Sequence, residues 1–408
     1  MLVMGVTVDV VVIGAGPAGG LAARQLARKG LSVTVFEEHK EVGRPVHCAG
    51  LIGMNGLHEI GVVPKPPVVI RQVSKSIFHA PSGAQLTFDK GEPHAYVLHR
   101  DLLDQQIVEE AQRAGANLER ETRVIRCYPC QEGMRVLVLH KGSKRELTTR
   151  FVVNAEGIRA RLGHLHGLPR PKHAYMLPAL QCEVSDISIS PNVVHLFFDT
   201  QIANQFFAWV IPLEDNRARI GLATTHRNTR QALDKFRTQC SLLSGAKAEK
   251  WFGGVVYTGG PVARTVSRRF VSVGDAAGQT KATTGGGVVA GGNCAIMAAH
   301  LITDALAQDR YRHQALIEYE RRWKRSWGRQ LWLMAILRRF LNRLDNPDLD
   351  ALFVNLRDSN VRELVEVKGD IDHQGKIITA ALTSPKMMKS AIGLLFKTAR
   401  FLPEFLWG

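Results

Sequence analysis

Short apolar runs alternate with segments whose apolar residues have helical spacing, and the start of the chain shows this most clearly. Val8–Ile13 is an apolar run, Leu21–Lys29 has helical character, and Ser32–Phe36 is a second apolar run that ends at Glu37. Apolar runs of this length on either side of a helical segment predict a strand, a helix and a second strand. The chain is therefore expected to begin with a β–α–β unit.

The turn between the first strand and the helix is rich in glycine. Gly14, Gly16 and Gly19 have the spacing G-x-G-x-x-G, and Glu37 follows 18 residues after Gly19. At this spacing the first glycine allows a tight turn, and the second lets backbone N–H groups approach a pyrophosphate at the helix N-terminus. The third lets helix and strand pack closely, and the acid can accept hydrogen bonds from a ribose. The unit is therefore predicted to bind a dinucleotide.

Similar patterns predict elements later in the chain. Val73–Phe88 is expected to form a hairpin with its turn at Pro81–Gly83, and Leu102–Ala114 a helix. Phe270–Val273 has the composition of a buried strand, and Val288–Ala307 is expected to be a helix. These elements continue the alternation of strands and helices that is typical of an α/β fold.

Residues 175–225 have a different pattern, with the strand-like runs Val193–Phe198, Phe206–Leu213 and Arg219–Ala223. We therefore expect a β-rich substrate domain at residues 171–262. It is inserted between two parts of a Rossmann-type dinucleotide-binding domain, which cover residues 1–170 and 263–310. Residues 311–408 are expected to form a basic, helical C-terminal region.

Composition limits the classes of protein that fit. The 408 residues are 45% hydrophobic, which is enough for a full core. No stretch has the roughly 18 consecutive apolar residues that a membrane span requires. The N-terminus lacks the basic region of a signal peptide, so we expect an intracellular protein with reduced cysteines. Cys127 and Cys130 have C-x-x-C spacing but no second pair nearby, and two ordinary strand cysteines are favoured over a zinc or redox site.

The net charge of +16 favours nucleic acid, anionic membrane surfaces or acidic ligands as partners. The sequence has no nucleic-acid-binding module, so no nucleic acid is expected. Arg321–Arg343 carries eight Arg and Lys and no acid around several Trp and aliphatic residues, and Lys386–Gly408 repeats the theme. Both segments suit helices at an anionic membrane surface. Helices that pack on the protein with basic outer faces are the alternative.

Four further features are candidates for chemistry. Cys48 lies in a loop rich in glycine and proline, and Arg100 precedes a predicted helix. Asp275 ends a predicted strand, and Gly285–Gly287 stand at a helix start, where backbone N–H groups suit an anionic or electron-rich group. Phe206–Pro212 is the most aromatic part of the β-rich domain. From the residues alone, each of three features has an ordinary structural alternative. Cys48 could be a buried loop thiol, Arg100 a solvated arginine, and Phe206–Pro212 ordinary sheet core.

These motifs together resemble the FAD-binding fold of the aromatic-hydroxylase type. Within that fold, Gly43–Gly50 and Gly274–Gly287 resemble the geranylgeranyl reductase family, including the archaeal enzymes that saturate digeranylgeranylglycerophospholipids. The family motif Tyr-x-Trp-x-Phe-Pro is matched by Phe207–Pro212, with Phe in place of Tyr and Ile in place of Phe. The Asp-Gly motif that is common in this fold is replaced by Glu156-Gly157. The similarity covers about residues 8–310 well.

The resemblance implies a role for each matched position. The residues expected to bind FAD are Gly14, Gly16, Ala18, Gly19, Glu37, Cys48, Ala49, Leu51, Arg100, Val124, Asp275, Gly287 and Val288. Cys48 is expected to lie close to the isoalloxazine, and it or a water near it is the candidate proton donor. The residues expected to line the isoprenoid pocket are Phe207, Trp209 and Pro212.

The implied function is an FAD-dependent reductase that saturates double bonds of geranylgeranyl chains in membrane lipids or their precursors by hydride transfer. A flavin monooxygenase or halogenase of the same fold, a flavoprotein that passes electrons to quinone, and a non-catalytic lipid-binding protein are the alternatives. NADPH, reduced ferredoxin or another donor protein is expected to supply the electrons. The expected location is cytoplasmic and peripheral, at the inner face of the cell membrane.

Overall fold

The computed structural model of the chain describes residues 8–308, 313–357, 365–366, 369–375 and 378–379. The strands of this part are β1 (Val8–Ile13), β2 (Val33–Phe36), β3 (Leu51–Gly53), β4 (Val69–Val73), β5 (Lys75–His79), β6 (Gln85–Asp89), β7 (Ala95–Leu98), β8 (Asn117–Glu119), β9 (Thr122–Pro129), β10 (Met134–His140), β11 (Ser143–Asn154), β12 (Met176–Ser185), β13 (Val193–Phe197), β14 (Ala208–Pro212), β15 (Ala218–Ala223), β16 (Lys247–Tyr257), β17 (Val266–Ser267) and β18 (Phe270–Ser272).

The helices of the same part are α1 (Pro17–Arg28), α2 (Met54–Glu59), α3 (Arg100–Arg113), α4 (Arg161–Leu165), α5 (Thr229–Gln239), α6 (Val288–Ala307), α7 (His313–Trp323), α8 (Arg329–Leu341) and α9 (Asn346–Arg357). The predicted helix over Val288–Ala307 and the predicted hairpin, β5 and β6, are confirmed. The helix predicted from Leu102 begins two residues earlier, so Arg100 is its first residue and does not precede it.

The first sheet contains β1 between β2 and β11, and both neighbours run parallel to it. Val10 lies opposite Val33 on one side and Phe151 on the other. One face of β1 packs against helices α1, α3 and α6 in a large core cluster. The other face of β1 packs against β9 and β10 in a second cluster. The strand is buried on both faces, which explains its continuous apolar run.

The second sheet has the order β16-β12-β15-β14-β13-β5-β6. Helix α5 packs on one face, where Leu233 and Phe236 share a cluster with Val210 and Ile220. The other face of β14 joins a separate cluster with β7 and the loop before β3. Strand β5 of the hairpin at residues 75–89 also pairs with β13, which lies more than 100 residues later in the chain and runs parallel to it. The predicted domain boundaries stay a prediction.

The first basic segment, Arg321–Arg343, packs on the body of the protein through its aromatic face. Trp323, Trp327, Leu331 and Met334 are buried in the same core cluster as α6. A turn of π-helix, Lys324–Gly328, joins α7 to α8. On the outer face Trp332 is 57% exposed. The second basic segment, Lys386–Gly408, lies outside the described residues.

Within the described part of the chain, only α6 is long and apolar enough to cross a membrane by length and composition. Of its most apolar window, 61% is buried inside the protein. Its burial follows from its central place in the core cluster, where Ala290, Ala295 and Ile302 are at most 1% exposed.

Candidate functional site

The three glycines of the first turn have three different environments. Gly14 has a φ of +92°, and its N–H donates to the carbonyl of Phe36 at 2.8 Å. A Cβ on Gly19 would overlap the carbonyl oxygen of Gly14, so helix α1 packs on the turn only through a glycine. A Cβ on Gly16 would meet no atom within 4 Å. The space beside Gly16 is therefore open for a ligand.

The N-terminus of α1 faces this space without a side-chain cap. Gly16 is the N-cap, Pro17 follows it, and the first turn contains no acid. Uncapped N–H groups and the helix dipole both favour an anion at such a terminus. Ala18 and the glycines thus fit the pyrophosphate contact that the sequence predicted.

Glu37 lies at the end of β2 with 9% of its surface exposed. Its Oε2 accepts from the Ala15 N–H at 2.8 Å, and its Oε1 accepts from the backbone N–H of His39 at 2.9 Å. The Nδ1 of His39 also lies 2.7 Å from Oε1. A carboxylate can accept about four hydrogen bonds, so Glu37 has capacity left for one more, from a ribose. The turn and the acid are therefore coupled directly, as the G-x-G-x-x-G spacing with its acid predicts.

The second half of the site adjoins the first through closely packed glycines. Gly274, two residues after β18, has a φ of +65°, and a Cβ there would lie 2.9 Å from the Cβ of Ala18. A Cβ on Gly287, the N-cap of α6, would lie 2.7 Å from Oδ1 of Asp275. The structure therefore brings Ala18, Asp275, Gly287 and Val288 to the two helix N-termini that face one site.

Asp275 lies in the short turn after β18, beside the N-cap of α6. Its surface is accessible to solvent, yet protein surrounds it closely. Burial raises the pKa of its carboxyl, while the Thr280 hydroxyl, which donates to Oδ1 at 3.0 Å, and the charge of Arg100 oppose that rise. An ionised carboxylate in this position gains from further hydrogen-bond donors such as ribityl hydroxyls.

Arg100, the first residue of α3, interacts electrostatically with Asp275 and with Cys48 of the loop Gly43–Gly50, which is called the cysteine loop below. Burial alone would lower the pKa of Arg100, but Asp104, 2.9 Å away, and Cys48 raise it above its ordinary value. The Nε of Arg100 is buried and has no hydrogen-bond partner among the described residues. A charged, partly unpartnered guanidinium between Cys48 and Asp275 fits an electron-rich group of a cofactor.

Arg219 of the second sheet holds the cysteine loop in place. Gly50 donates its N–H to the Sγ of Cys48 at 3.4 Å. Arg219, which is 5% exposed, donates to the carbonyl of Ala49 at 2.8 Å and to Glu183 at 2.8 Å. Arg219 could not be predicted from the sequence, because nothing local distinguishes it from other strand arginines. Its contact with the loop arises only when the two sheets meet.

An aromatic wall lies on the face of the second sheet that joins the cysteine loop. Phe206 and Phe207 stack with centroids 4.1 Å apart, and the rings of Phe207 and Trp209 meet edge to face at 6.2 Å. Ala49 and Leu51 pack against the same cluster. A Cβ on Gly221 would lie 2.5 Å from the indole of Trp209, so a glycine there makes room for the ring.

Two further predicted residues are Pro212 and Val124. Pro212 ends β14, and the alternation of the strand places it on the side of Ala208 and Val210, opposite Trp209. Val124 is 3% exposed on β9, and its carbonyl already accepts from Arg161 at 3.0 Å.

Of the C-x-x-C pair, Cys127 is buried on β9. Burial raises the pKa of the Cys127 thiol to about 12. The raised pKa opposes the thiolate that redox or metal chemistry needs.

The glycine-rich loop before α6 is held from both sides by the C-terminal region. Lys281 forms a buried ion pair with Asp372 at 2.6 Å. On the other side Arg338 of α8 donates to the carbonyls of Ala282 and Thr283. From the sequence, Arg338 belongs to the basic segment Arg321–Arg343, which was expected to lie at a membrane surface or to pack on the protein with a basic outer face. No local signal separates it from the exposed arginines around it.

The fold and the turn that binds a dinucleotide define an FAD-dependent oxidoreductase, and comparisons with known proteins agree. A family model described as an FAD binding domain matches residues 7–249. Digeranylgeranylglycerophospholipid reductase 2 of Methanopyrus kandleri is 30% identical over 400 residues, which cover 95% of this chain and 99% of the relative. Digeranylgeranylglycerophospholipid reductase 1 of Methanococcoides burtonii is 28% identical, with 87% and 89% covered. The chain belongs to the digeranylgeranylglycerophospholipid reductase family.

Solved structures confirm the predicted fold class. A geranylgeranyl bacteriochlorophyll reductase-like protein from Thermoplasma acidophilum has a TM-score of 0.85 at 22% identity, with 95% of this chain and 99% of that chain covered. A flavin-dependent brominase has a TM-score of 0.72 at 16% identity, with 92% and 98% covered. At these identities the similarity concerns the fold alone.

Proposed function

We propose that this protein saturates the double bonds of geranylgeranyl chains in membrane lipids or their precursors, with reduced FAD as the hydride source. The observation that carries the proposal is the aromatic wall of Phe206, Phe207 and Trp209, which shares one buried cluster with the cysteine loop beside the cofactor site. The reductase names of the curated relatives support the substrate class.

The residues that would hold FAD are those that meet at the two helix N-termini. The open space at Gly16 would accept the pyrophosphate, and Glu37 the adenosine ribose. Asp275 would accept from the ribityl chain, and the backbone at Gly287 and Val288 would meet the flavin ring. When bound and reduced, FAD supplies the hydride, which is chemistry that no side chain offers.

The chain itself would provide a dry pocket and a proton. An isolated trisubstituted alkene accepts hydride poorly unless a proton reaches its other carbon. Phe206, Phe207 and Trp209 are at most 7% exposed, and they would keep water away from the flavin ring and so prevent side reactions. The Sγ of Cys48 is the proposed source of the proton, and the neighbouring Arg100 would stabilise the thiolate that proton donation leaves.

We further propose that the protein works at the cytoplasmic face of the membrane that contains its substrate. The exposed residues that support this are Arg321, Arg322, Arg325, Arg329 and Trp332, which follow one outer face of α7, the π-turn and α8. Basic residues near an anionic surface contribute about 1 kcal/mol each. The proposed electron donor is NADPH, reduced ferredoxin or another donor protein.

The deciding experiment combines anaerobic reduction with mass spectrometry. The FAD-loaded protein is reduced with dithionite and mixed with geranylgeranyl lipids in the absence of oxygen. We expect flavin reoxidation together with a mass gain of two hydrogens per saturated bond. A flavin that stays reduced with every isoprenoid, but reoxidises with quinone or with oxygen and an oxygenated product, would replace this proposal by one of its rivals.

Cys48→Ala tests the proton source separately from cofactor binding. General acid catalysis typically contributes 10²–10⁴-fold, so we expect lipid reduction to slow at least about 100-fold while bound FAD is retained. Cys130→Ala is the matched control, because Cys130 is another free and partly exposed cysteine that lies outside the site. Equal rates for the two variants would exclude Cys48 as the donor.

A further inference from the structure

Two uncharged polar side chains lie in one row on the face of the second sheet that forms the aromatic wall. Gly221 of β15 lies opposite Gln181 of β12 on one side and opposite Trp209 of β14 on the other. Residues that are paired in this way point to the same face of a sheet. Gln181 and Trp209 are 3% and 7% exposed, so both ends of the row are buried.

The polar atoms of this row have no hydrogen-bond partner among the described residues. They are the Nε1–H of Trp209, which can only donate, and the Oε1 of Gln181, which can only accept. Gly221 lets the two side chains converge. A Cβ there would lie 2.6 Å from Cε2 of Trp209, the ring atom bonded to Nε1, and 2.7 Å from the Cβ of Gln181. A buried polar group without a partner costs about 1–3 kcal/mol, so the row favours a small ligand that both accepts and donates.

The cysteine loop crosses the sheet beside this row. The Nδ1 of His47 lies 2.6 Å from the carbonyl oxygen of Gly253 on β16. At the other end of the crossing, the carbonyl of Ala49 accepts from Arg219 on β15. Strand β12, which carries Gln181, lies between β16 and β15. The backbone at Cys48, between these two contacts, therefore passes over β12.

One further contact establishes which face of the sheet the loop crosses. A Cβ on Gly254 would lie 3.3 Å from the carbonyl oxygen of His47. Gly254 is paired with Ala179, which lies two residues before Gln181 on β12. Because every second residue of a strand points to the same face, the cysteine loop and the polar row share one face of the sheet.

The carboxylate on this face of β12 is already engaged. Glu183, two residues after Gln181, accepts from Arg219 through one oxygen and from Arg217 through the other. A carboxylate that is ionised in two ion pairs has no proton to give. If Cys48 donates its proton in each reaction, the thiol therefore needs another route by which to regain one.

A water molecule fits the polar row. It can accept from the indole N–H, donate one hydrogen to the amide oxygen and keep the other for a third partner, and buried waters typically make about three hydrogen bonds. An isoprenoid chain has no polar atom to offer in its place. A single ordered water can also deliver a proton without admitting bulk water to the aromatic wall.

We propose that Gln181 and Trp209 hold a water molecule that returns a proton to Cys48 after each reduced double bond. This inference rests on the proposed function, in which the S–H bond of Cys48 breaks and its proton forms a C–H bond with the alkene. The bound water then gives a proton to the thiolate and takes one from solvent, while the hydride and its two electrons come from reduced FAD. Gln181 and Trp209 are positioning residues, since they act through the water.

The number of saturated bonds per protein molecule tests the relay. FAD-loaded protein is mixed with excess geranylgeranyl lipid without oxygen, and dithionite is raised until the wild-type rate no longer depends on it. Wild type should reduce bonds at one constant rate. Gln181→Met should reduce about one bond per protein at that rate, with the proton already on Cys48, and later bonds about 10–100-fold more slowly. Equal slowing of the first and later bonds would assign Gln181 a structural role and overturn the proposal.

Two variants control this measurement. Gln181→Glu keeps an oxygen that accepts a hydrogen bond and should restore most of the later rate. Gln231→Met replaces an exposed glutamine of α5, on the opposite face of the sheet, and should behave like wild type. A constant wild-type rate in Gln181→Met would overturn the relay alone. A wild type that reduces no bond would overturn the proposed function instead.

A crystal structure of the FAD-loaded wild type gives a readout that needs neither turnover nor a variant. We expect an ordered water within about 3.2 Å of both Nε1 of Trp209 and Oε1 of Gln181, and none at this place in Gln181→Met. A flavin atom there, or no water in wild type, would overturn the proposal even where Gln181→Met fails to fold. A water there in a protein that reduces no lipid would leave the water site standing and refute its role as a relay.

Discussion

At the scale of single residues, two glycines of the first turn have different roles, one in packing and one in leaving space for a ligand. Gly16 and Gly19 belong to one motif and are three residues apart. A side chain at Gly19 would overlap the backbone of Gly14, whereas a side chain at Gly16 would enter open space. The two positions therefore have different physical reasons to be glycine.

This difference gives a prediction for two alanine variants. Gly16→Ala should leave the Tm of the FAD-free protein within about 2 °C of wild type, because its backbone has an ordinary φ of −70° and its Cβ meets nothing. The same variant should lose FAD, since the Cβ occupies the pyrophosphate space. Gly19→Ala should instead destabilise the fold by about 1–3 kcal/mol through overpacking. Thermal unfolding and flavin content measure both, and FAD retained by Gly16→Ala would contradict the assignment.

Asp275 gives a second prediction at this scale. Asp275→Asn removes a charge that burial disfavours, so the FAD-free variant should have a higher Tm than wild type. It should bind FAD about 10–100-fold more weakly, because a charged hydrogen bond contributes about 1.5–3 kcal/mol. Titration of flavin fluorescence measures the affinity. Asp304→Asn, at an exposed position of α6, is the control and should change neither quantity.

The raised pKa of Asp275 also sets the sign of a pH effect. The folded, FAD-free protein holds the Asp275 proton more tightly than the unfolded chain does. The ionised carboxylate therefore costs stability, and this cost disappears as the pH falls from the raised pKa towards the ordinary value of about 3.9. FAD affinity should decrease over the same interval, because the acceptor becomes protonated.

At the scale of elements, α7, the π-turn and α8 have two faces with different partners. The inner face packs Trp323 and Trp327 into the core, and the buried Arg338 holds the loop before α6. The outer face exposes Arg325 and Arg329, which form no ion pair within the described residues. The charge that a membrane would meet is therefore a stripe on one face, and the aromatic residues of the segment are mostly unavailable to lipid.

The stripe predicts which substitutions affect vesicle binding. Arg325→Glu combined with Arg329→Glu should abolish co-sedimentation with anionic vesicles at low salt, because it reverses two charges worth about 1 kcal/mol each near the surface. Arg230→Glu combined with Lys235→Glu on α5 makes the same charge change elsewhere and should have no effect. Unchanged vesicle binding by the first pair would refute the membrane proposal for this face.

At the scale of the whole molecule, β5 and β13 are far apart in sequence but pair in the second sheet, and a histidine of each strand lies at this pairing. The Nε2 of His79 on β5 lies 3.0 Å from Nδ1 of His195 on β13, and His79 stacks on Phe197 at 4.1 Å. Burial and the neighbouring His195 lower the pKa of His79 to about 4, and burial lowers the pKa of His195. The pairing of β5 with β13 joins residues 75–89 to the rest of the second sheet, and burial favours the neutral form of both imidazoles.

The histidine pair predicts how stability depends on pH. The unfolded chain takes up a proton near pH 6.5, whereas folded His79 takes it up near pH 4. The free energy of unfolding should therefore decrease as the pH falls through this interval. His79→Phe keeps the stacking and should show a shallower decrease in urea titrations between pH 7 and 4.5. An identical slope for the two proteins would exclude the pair as a source of this dependence.

Parts of this molecule follow from local sequence because the physics behind them is local. The G-x-G-x-x-G turn, the acid after β2 and the helix Val288–Ala307 each depend on backbone conformation and periodicity within one stretch, and the structure has them where the sequence predicted. Membership in an FAD-dependent family was predicted from several motifs together, chiefly the first glycine turn, Gly43–Gly50 and Gly274–Gly287. Helix α3 begins two residues before the predicted start. The sequence signals for helix ends are weaker than the periodic spacing of apolar residues that predicts the helix itself.

Tertiary structure decided what depends on contacts between distant segments. The alternation of β14 separates Pro212 from Trp209, although the two are neighbours in one motif. The parallel pairing of β5 with β13, the contact of Arg219 with the cysteine loop and the burial of Arg338 join residues that lie 55 or more positions apart. Sequence alone determined which chemical groups the chain carries and the turn that binds the cofactor. Only the folded chain determined which arginines are solvated and which are buried, because burial is a property of packing between segments.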